Sequence, residues 1–163
     1  MFINSIILTI IHTHAPTGQA RAKIINEFVI KFKMNRKAKG TRAERELVKI
    51  FNDSGWACLR APGSGSSRYP SPDILAANAI RRLAIECKVT KEKKKYFQNQ
   101  EIDQLRTFSR LFGAEGWVGL KFTNEPWYFL MLEDLEDTGA CWAVSRGLAK
   151  RRGLSINELM ETE

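Results

Sequence analysis

Cysteine is scarce and poorly spaced in this sequence. Cys58, Cys87 and Cys141 are its three cysteines, odd in number, far apart and never in a C-x-x-C pair, so neither a zinc site nor a disulfide framework is implied. Cys58 and Cys87 sit in apolar runs, where a thiol packs as a small core residue. A reducing, cytoplasmic setting is expected. Long apolar runs are missing too. The stretch from Phe2 to Ile11 has ten residues, well short of the ~20 a helix needs to cross a bilayer. No basic residues precede it, as they would in a secretory signal, and no stable membrane association is expected. No internal repeat is visible.

What is present is an ordinary globular composition with an unusual charge. Of 163 residues, 44% are hydrophobic and 27% charged, which sets aside global disorder and allows one domain with a sizeable core. The net charge of +8 and pI near 9.6 suit a polyanionic partner, nucleic acid or an anionic surface. A coherent pattern begins at Met34-Asn35-Arg36-Lys37, so a single domain over 34–163 is expected. Residues 1–33 read as an extension upstream of a natural start at Met34. They are either disordered or carry a short helix over Ala22 to Phe32, where Ile24, Ile25, Phe28 and Val29 have helical spacing.

From Gly40 the helical signal strengthens. Ala43, Leu47, Ile50 and Phe51 recur at intervals of three and four, with Thr41 as N-cap and Asp53-Ser54-Gly55 as stop. Trp56 to Arg60 reads as a strand. A loop rich in Gly, Ser and Pro, from Ala61 to Pro72, then leads to Asp73. The basic run Thr90 to Tyr96 reads as a solvated loop. Ile102, Leu105, Phe108, Ser109 and Phe112 space a second helix closed by Gly113. Trp117 to Phe122 and Trp127 to Leu132 read as strands around Thr123 to Pro126, and Trp56, Trp117 and Trp127, at strand starts, read as filling a core or a dimer seam rather than stacking on bases. Toward the end, Glu133 to Asp137 is acidic, Cys141 to Val144 reads as a short strand and Lys150-Arg151-Arg152 is basic. Ser155-x-x-Glu158 is a capping box for a final helix. The order predicts an α/β sandwich on a mixed sheet of about five strands.

The candidate chemistry lies between Asp73 and Lys88. Apolar runs Asp73 to Ala77 and Leu83 to Val89 flank Asn78-Ala79, which predicts a hairpin. In the second run Leu83, Ile85, Cys87 and Val89 alternate with Ala84, Glu86 and Lys88, so Glu86 and Lys88 share one face. The hairpin then brings Asp73 beside Glu86. Two carboxylates and an ammonium suit a hard divalent cation such as Mg²⁺ and a scissile phosphate. Asp73, Glu86 and the Cys87 carbonyl would be the ligands, and Lys88 would hold the attacking water or the phosphate. The plain alternative is a surface ion pair on a strand edge. Glu44, fourth in Thr41-Arg42-Ala43-Glu44, fits a capping box, although its neighbours Val48 and Phe51 place it at the border of the apolar face.

Pro72-Asp73 followed by Glu86-x-Lys88 resembles the PD-(D/E)xK, or restriction-endonuclease-like, nuclease superfamily. Three further stretches narrow the likeness: Arg36-Lys37-x-x-Gly40-x-x-Ala43-Glu44-Arg45-Glu46-Leu47, Gly55 to Ser66, and Ile85-Glu86-Cys87-Lys88. Together they resemble archaeal Holliday junction resolvases over most of residues 34 to 160. The resemblance implies a homodimer that resolves four-way DNA junctions by paired, symmetric, metal-dependent nicks, with Mg²⁺ or, in its place, Mn²⁺. By matched position it makes Glu44 the helix-borne acidic residue and a further metal ligand. Asp73 and Glu86 become metal ligands, Lys88 the catalytic lysine and Ser64 a catalytic loop serine. It also puts the Phe112 region near a subunit interface.

The functional expectation is therefore a structure-selective endonuclease of branched DNA. It would grip phosphates through Arg36, Lys37, Lys39, Arg42, Arg45, Arg60, Arg68, Lys91, Lys93, Lys94 and Lys95. Two rivals remain: a superfamily nuclease acting on linear DNA, and a non-catalytic junction-binding protein.

Overall fold

The alternating run around Leu83 becomes the central strand of the protein. In a computed structural model, β3 (Arg82–Thr90) pairs antiparallel with β2 (Ile74–Ala77) on one side and parallel with β5 (Glu115–Phe122) on the other. With β1 (Ala57–Arg60) and β6 (Trp127–Met131) at the edges, the five-stranded order is β1-β2-β3-β5-β6. The structure describes residues 19–61, 69 and 71–161, and for most of 19–39 the backbone alone. The chain divides into two compact units, Met1–Lys39 and Gly40–Glu163, and both sheets belong to the second. Among the described residues no helix is long and apolar enough to cross a membrane.

The strand period sorts the core onto two faces. Leu83, Ile85 and Cys87 pack with Ala43, Leu47 and Phe51 of α1 (Gln19–Asp53) and Leu159 of α4 (Ile156–Glu161). Ala84 packs on the other face with Ile102 and Leu105 of α2 (Asn99–Phe112) and Leu148 of α3 (Arg146–Arg152). Glu86 and Lys88 share Ala84's face, the one covered by α2. That face also carries a three-stranded sheet, order β4-β8-β7, formed by β4 (Lys94–Phe97), β7 (Glu136–Asp137) and β8 (Trp142–Ser145). Trp56, Trp117 and Trp127 are buried, as the sequence predicts.

Several local expectations change. Thr41 is no N-cap, because α1 runs unbroken from Gln19 to Asp53. That segment has no proline and a single interior glycine, and one glycine costs a helix only about 1 kcal/mol. The capping reading of Glu44 falls with it. The hairpin turn is longer than Asn78-Ala79. The Asn78 N–H donates to the Arg81 carbonyl, and the Asn78 side-chain oxygen accepts from the N–H groups of Ile80 and Arg81. The basic run is partly strand: β4 pairs with β8 and buries Phe97, a register the surrounding lysines conceal in the sequence. The acidic stretch becomes a 3₁₀ turn (Leu132–Asp134) followed by β7. The basic run near the end lies in α3, whose first turn is capped by Ser145 Oγ accepting from the Leu148 N–H at 3.1 Å. The final capping box forms as expected, with Ser155 N–H donating to Glu158 and Glu158 N–H to Ser155 Oγ.

Candidate active site

The register Ile74↔Ile85 sets Asp73, one residue before β2, opposite Glu86. Its backbone carbonyl accepts from the Ala61 N–H at 2.9 Å, which ties the far end of the Gly/Ser/Pro loop to the sheet. Its carboxylate reaches across the strand gap, and Oδ2 accepts from the Cys87 N–H at 2.8 Å. In an extended strand a residue's N–H and C=O leave on the same side, so the Cys87 carbonyl faces the same edge as Asp73.

Glu86 and Lys88 project together over the α2 side. Lys88 Nζ lies 2.7 Å from Glu86 Oε1 and 3.0 Å from Glu101 Oε1. Burial pushes the Glu86 carboxyl up to about 7; Lys88 opposes the rise and the Asp73 charge adds to it. Burial disfavours the Lys88 ammonium, but Glu86 and Glu101 overcome that and hold it firmly protonated. The Cys87 thiol is raised well above its usual range, first by burial and then by Asp73, Glu86 and Glu44. A thiol so disfavoured as thiolate serves here as packing.

Glu44 does not face solvent as a cap. It pairs with Arg60 on β1, with the Arg60 Nε donating to Glu44 Oε2, and its charge is felt at Cys87. The structure thus sets Asp73 opposite Glu86 with Lys88 beside it on β2 and β3, while Glu44 and Arg60 form a pair of their own whose carboxylate is felt at Cys87. Arg42, Arg45, Lys91 and Lys93 are exposed. Lys94 is paired with Glu136 at 2.8 Å, and Lys95 is close enough to Glu101 to stabilise its carboxylate. Ser64 and Arg68 lie outside the described residues, as do the side chains of Arg36, Lys37 and Lys39.

Among the described residues no three His, Cys, Asp or Glu side chains gather into a closed metal cage. Mg²⁺ does not need one, since it keeps several waters and takes one or two carboxylates. The donors fit such an ion. Asp73 and Glu86 are two hard oxygen ligands close enough for one to raise the proton affinity of the other, even with Lys88 beside them. A dication between the two carboxylates would offset both the burial of Glu86 and its repulsion with Asp73.

Glu101 is the member of this cluster that sequence reasoning misses. It is the third residue of α2, where its side chain reaches back to the Gln98 N–H as a helix cap. No spacing rule links it to a lysine thirteen residues earlier.

A mixed central sheet with helices on both faces and carboxylates opposed across β2 and β3 places the protein among α/β nucleases of the restriction-endonuclease-like fold. The comparisons make this specific. Residues 35–163 match the family described as archaeal Holliday junction resolvase (hjc), and the chain belongs to that family. It is 46% identical over 102 residues, 63% of this chain and 75% of the relative, to a crossover junction endodeoxyribonuclease Hjc of Archaeoglobus fulgidus. A crossover junction endodeoxyribonuclease Hjc of Sulfolobus acidocaldarius is 33% identical over 129 residues, 78% of this chain and 90% of the relative. The 1.6 Å structure of A. fulgidus Hjc, a Holliday junction resolvase from an archaeal hyperthermophile, superposes with a TM-score of 0.69 at 40% identity, covering 74% of this chain and 98% of that one.

Proposed function

We propose that this protein resolves four-way DNA junctions by Mg²⁺-dependent phosphodiester hydrolysis, as a homodimer making paired symmetric nicks. It is an endodeoxyribonuclease of the Holliday junction resolvase family, and that membership carries dependence on a divalent metal. The observation that supports the chemistry best is the convergence of Asp73, Glu86 and Lys88 where β2 begins beside β3, with Asp73 held by the Cys87 N–H at 2.8 Å. When bound, the cation supplies an activated water and charge neutralisation at the phosphate.

The protein's own groups do the rest. Asp73, Glu86 and the Cys87 carbonyl present oxygens to the ion. Lys88 sets a fixed positive charge where negative charge develops on the phosphate. Glu44, paired with Arg60, lines the approach and stands as a further ligand, and Ser64 as a loop hydroxyl acting at the phosphate. The 34–163 segment is the nuclease domain. Junction shape is read through phosphates by Arg36, Lys37, Lys39, Arg42, Arg45, Arg60, Arg68 and the lysines of 91–95. A two-fold dimer suits a junction with two equivalent strands to cut, and the exposed Leu111 and Phe112 at the end of α2 are surfaces for it.

The test is cleavage of a mobile four-way junction with and without Mg²⁺, competed against a duplex of equal length, with Asp73→Asn alongside. Symmetric metal-dependent nicks made on the junction in preference to the duplex are expected. Equal cleavage of the duplex would move the assignment to a linear-DNA nuclease, and junction binding without any cleavage to an architectural role.

A further inference from the structure

We infer that Glu101 is the positioning residue for Lys88, with one carboxylate oxygen locked into the start of α2 and the other fixing where the catalytic ammonium sits. The inference rests on the role proposed above for Lys88.

Its basis is the division of labour between two oxygens. Glu101 Oε2 accepts from the Gln98 N–H at 2.9 Å and completes the capping box of α2. A cap uses one oxygen, and a glutamine would serve as well. Glu101 Oε1 is left over, and it lies 3.0 Å from Lys88 Nζ. The cap therefore explains the side chain's placement without explaining its charge.

The anchor is firm. Ile102 and Leu105, directly after Glu101 on α2, are buried in the core beside Ala84 of β3. With α2 fixed to the sheet and Oε2 fixed to the helix start, Oε1 has little freedom. Lys88 has much: a lysine stem gives up roughly 1.5–2 kcal/mol of rotamer entropy when it is held in one place. Glu86 is its other partner, at 2.7 Å, but Glu86 is also a proposed cation ligand. Oxygens given to a cation are weaker partners for the ammonium, and Glu101 is then the carboxylate that keeps Lys88 in place. Lys95 of β4 also acts on Glu101, so a strand proposed to hold phosphate lies one charge away from the tether.

Glu101→Gln isolates the proposal because it keeps an oxygen for the Gln98 N–H and removes the charge facing Lys88. Single-turnover junction cleavage in Mg²⁺ is expected to fall about 10- to 100-fold, the range seen when a supporting partner of a catalytic group is lost. Metal-free junction affinity should stay at the wild-type value, and the melting temperature should fall by no more than the share that a double-variant cycle assigns to the pair. The pair itself is read without metal or activity, from the melting temperatures of wild type, Glu101→Gln, Lys88→Met and the double variant. A non-additive cycle is expected, and additive shifts would show that the two side chains do not interact. Wild-type cleavage by Glu101→Gln while Lys88→Met is inactive would overturn the positioning role and leave the proposed function standing. Full cleavage by Lys88→Met would remove the role of Lys88 and this inference with it. Loss of cleavage by Glu101→Gln matched by a larger fall in melting temperature, and restored on cooling, would reduce Glu101 to its cap.

Discussion

The Cys87 N–H and the Asp73 carboxylate form a 2.8 Å hydrogen bond that crosses from the middle of β3 to the residue before β2. It orients the carboxylate and fills a donor left free where β2 ends. Replacing Asp73 with Asn keeps an oxygen for that bond and removes the anion. Mg²⁺-dependent cleavage should then fall at least about a hundredfold, while junction binding and melting temperature hold. Replacing it with Ala also leaves the buried N–H without its acceptor, which costs about 1–3 kcal/mol. Thermal melts of the two variants side by side separate the chemical role from the structural one.

Phosphate-led recognition predicts steep salt dependence, and the structure says which lysines should carry it. The Lys91 and Lys93 side chains are exposed, whereas the Lys94 ammonium is already matched by Glu136 at 2.8 Å. Lys91→Ala and Lys93→Ala should each reduce the slope of log K against log salt by about one, and Lys94→Ala by less. Junction affinity measured across a salt series checks this. A slope that barely changes in the first two variants would place the phosphate contacts elsewhere.

Acid stability should depend on Glu115. Arg81 grips it with two hydrogen bonds, Nε to Oε1 at 2.7 Å and Nη2 to Oε2 at 2.6 Å, and donates a third bond to the Leu159 carbonyl at 2.7 Å. The guanidinium, and secondarily the Trp117 N–H, hold the carboxyl below its ordinary value, against the pull of burial. A folded-state value below the unfolded one gives stability that is present above about 4.5, the ordinary value for a glutamate carboxyl, and is lost as pH falls through the lower folded value. Because the pair is partly exposed, the contribution should stay under about 1 kcal/mol. Urea melts from about pH 6 down to about pH 3, spanning that window, should show a drop that is smaller in Glu115→Gln. An equal drop in both would assign acid sensitivity to other carboxylates.

The parts of this protein that are legible in the sequence are those where periodicity and chemistry coincide. Ile85 to Lys88 alternates apolar and charged residues, so the two faces of β3, and with them the shared direction of Glu86 and Lys88, follow from the strand period. The Ser155 and Glu158 cap is a local pair and forms as written. Where neighbours decide, the sequence is silent. Nothing near Thr41 breaks the helix, so its capping signal stands where no helix begins. Lys94 to Phe97 is a strand because β8 lies beside it, not because lysines favour strands. Glu101 joins the site through packing of α2 on β3, a contact between segments that no local pattern encodes.

Two glycines in the second unit are required for space and not for backbone freedom, and they should fail differently. A Cβ on Gly153 would sit 2.5 Å from the Ala149 carbonyl oxygen and 2.9 Å from Tyr128 Cβ, although its φ of −74° suits any residue. Backbone cannot easily yield there, so Gly153→Ala should destabilise by about 1–3 kcal/mol and resist rescue. A Cβ on Gly116 would meet Ser109 Oγ at 2.9 Å and Leu132 Cδ1 at 3.3 Å. Ser109 Oγ is buried and has no hydrogen-bond partner among the described residues, so deleting it breaks no bond to them. Ser109→Ala alone should be neutral or stabilising. In its background the cost of Gly116→Ala should fall, since the nearest obstacle has gone and a flexible leucine methyl remains. Melting temperatures of the four proteins give the coupling directly. If Gly116→Ala costs the same with and without the serine hydroxyl, the clash is with the leucine or the sheet and not with Ser109.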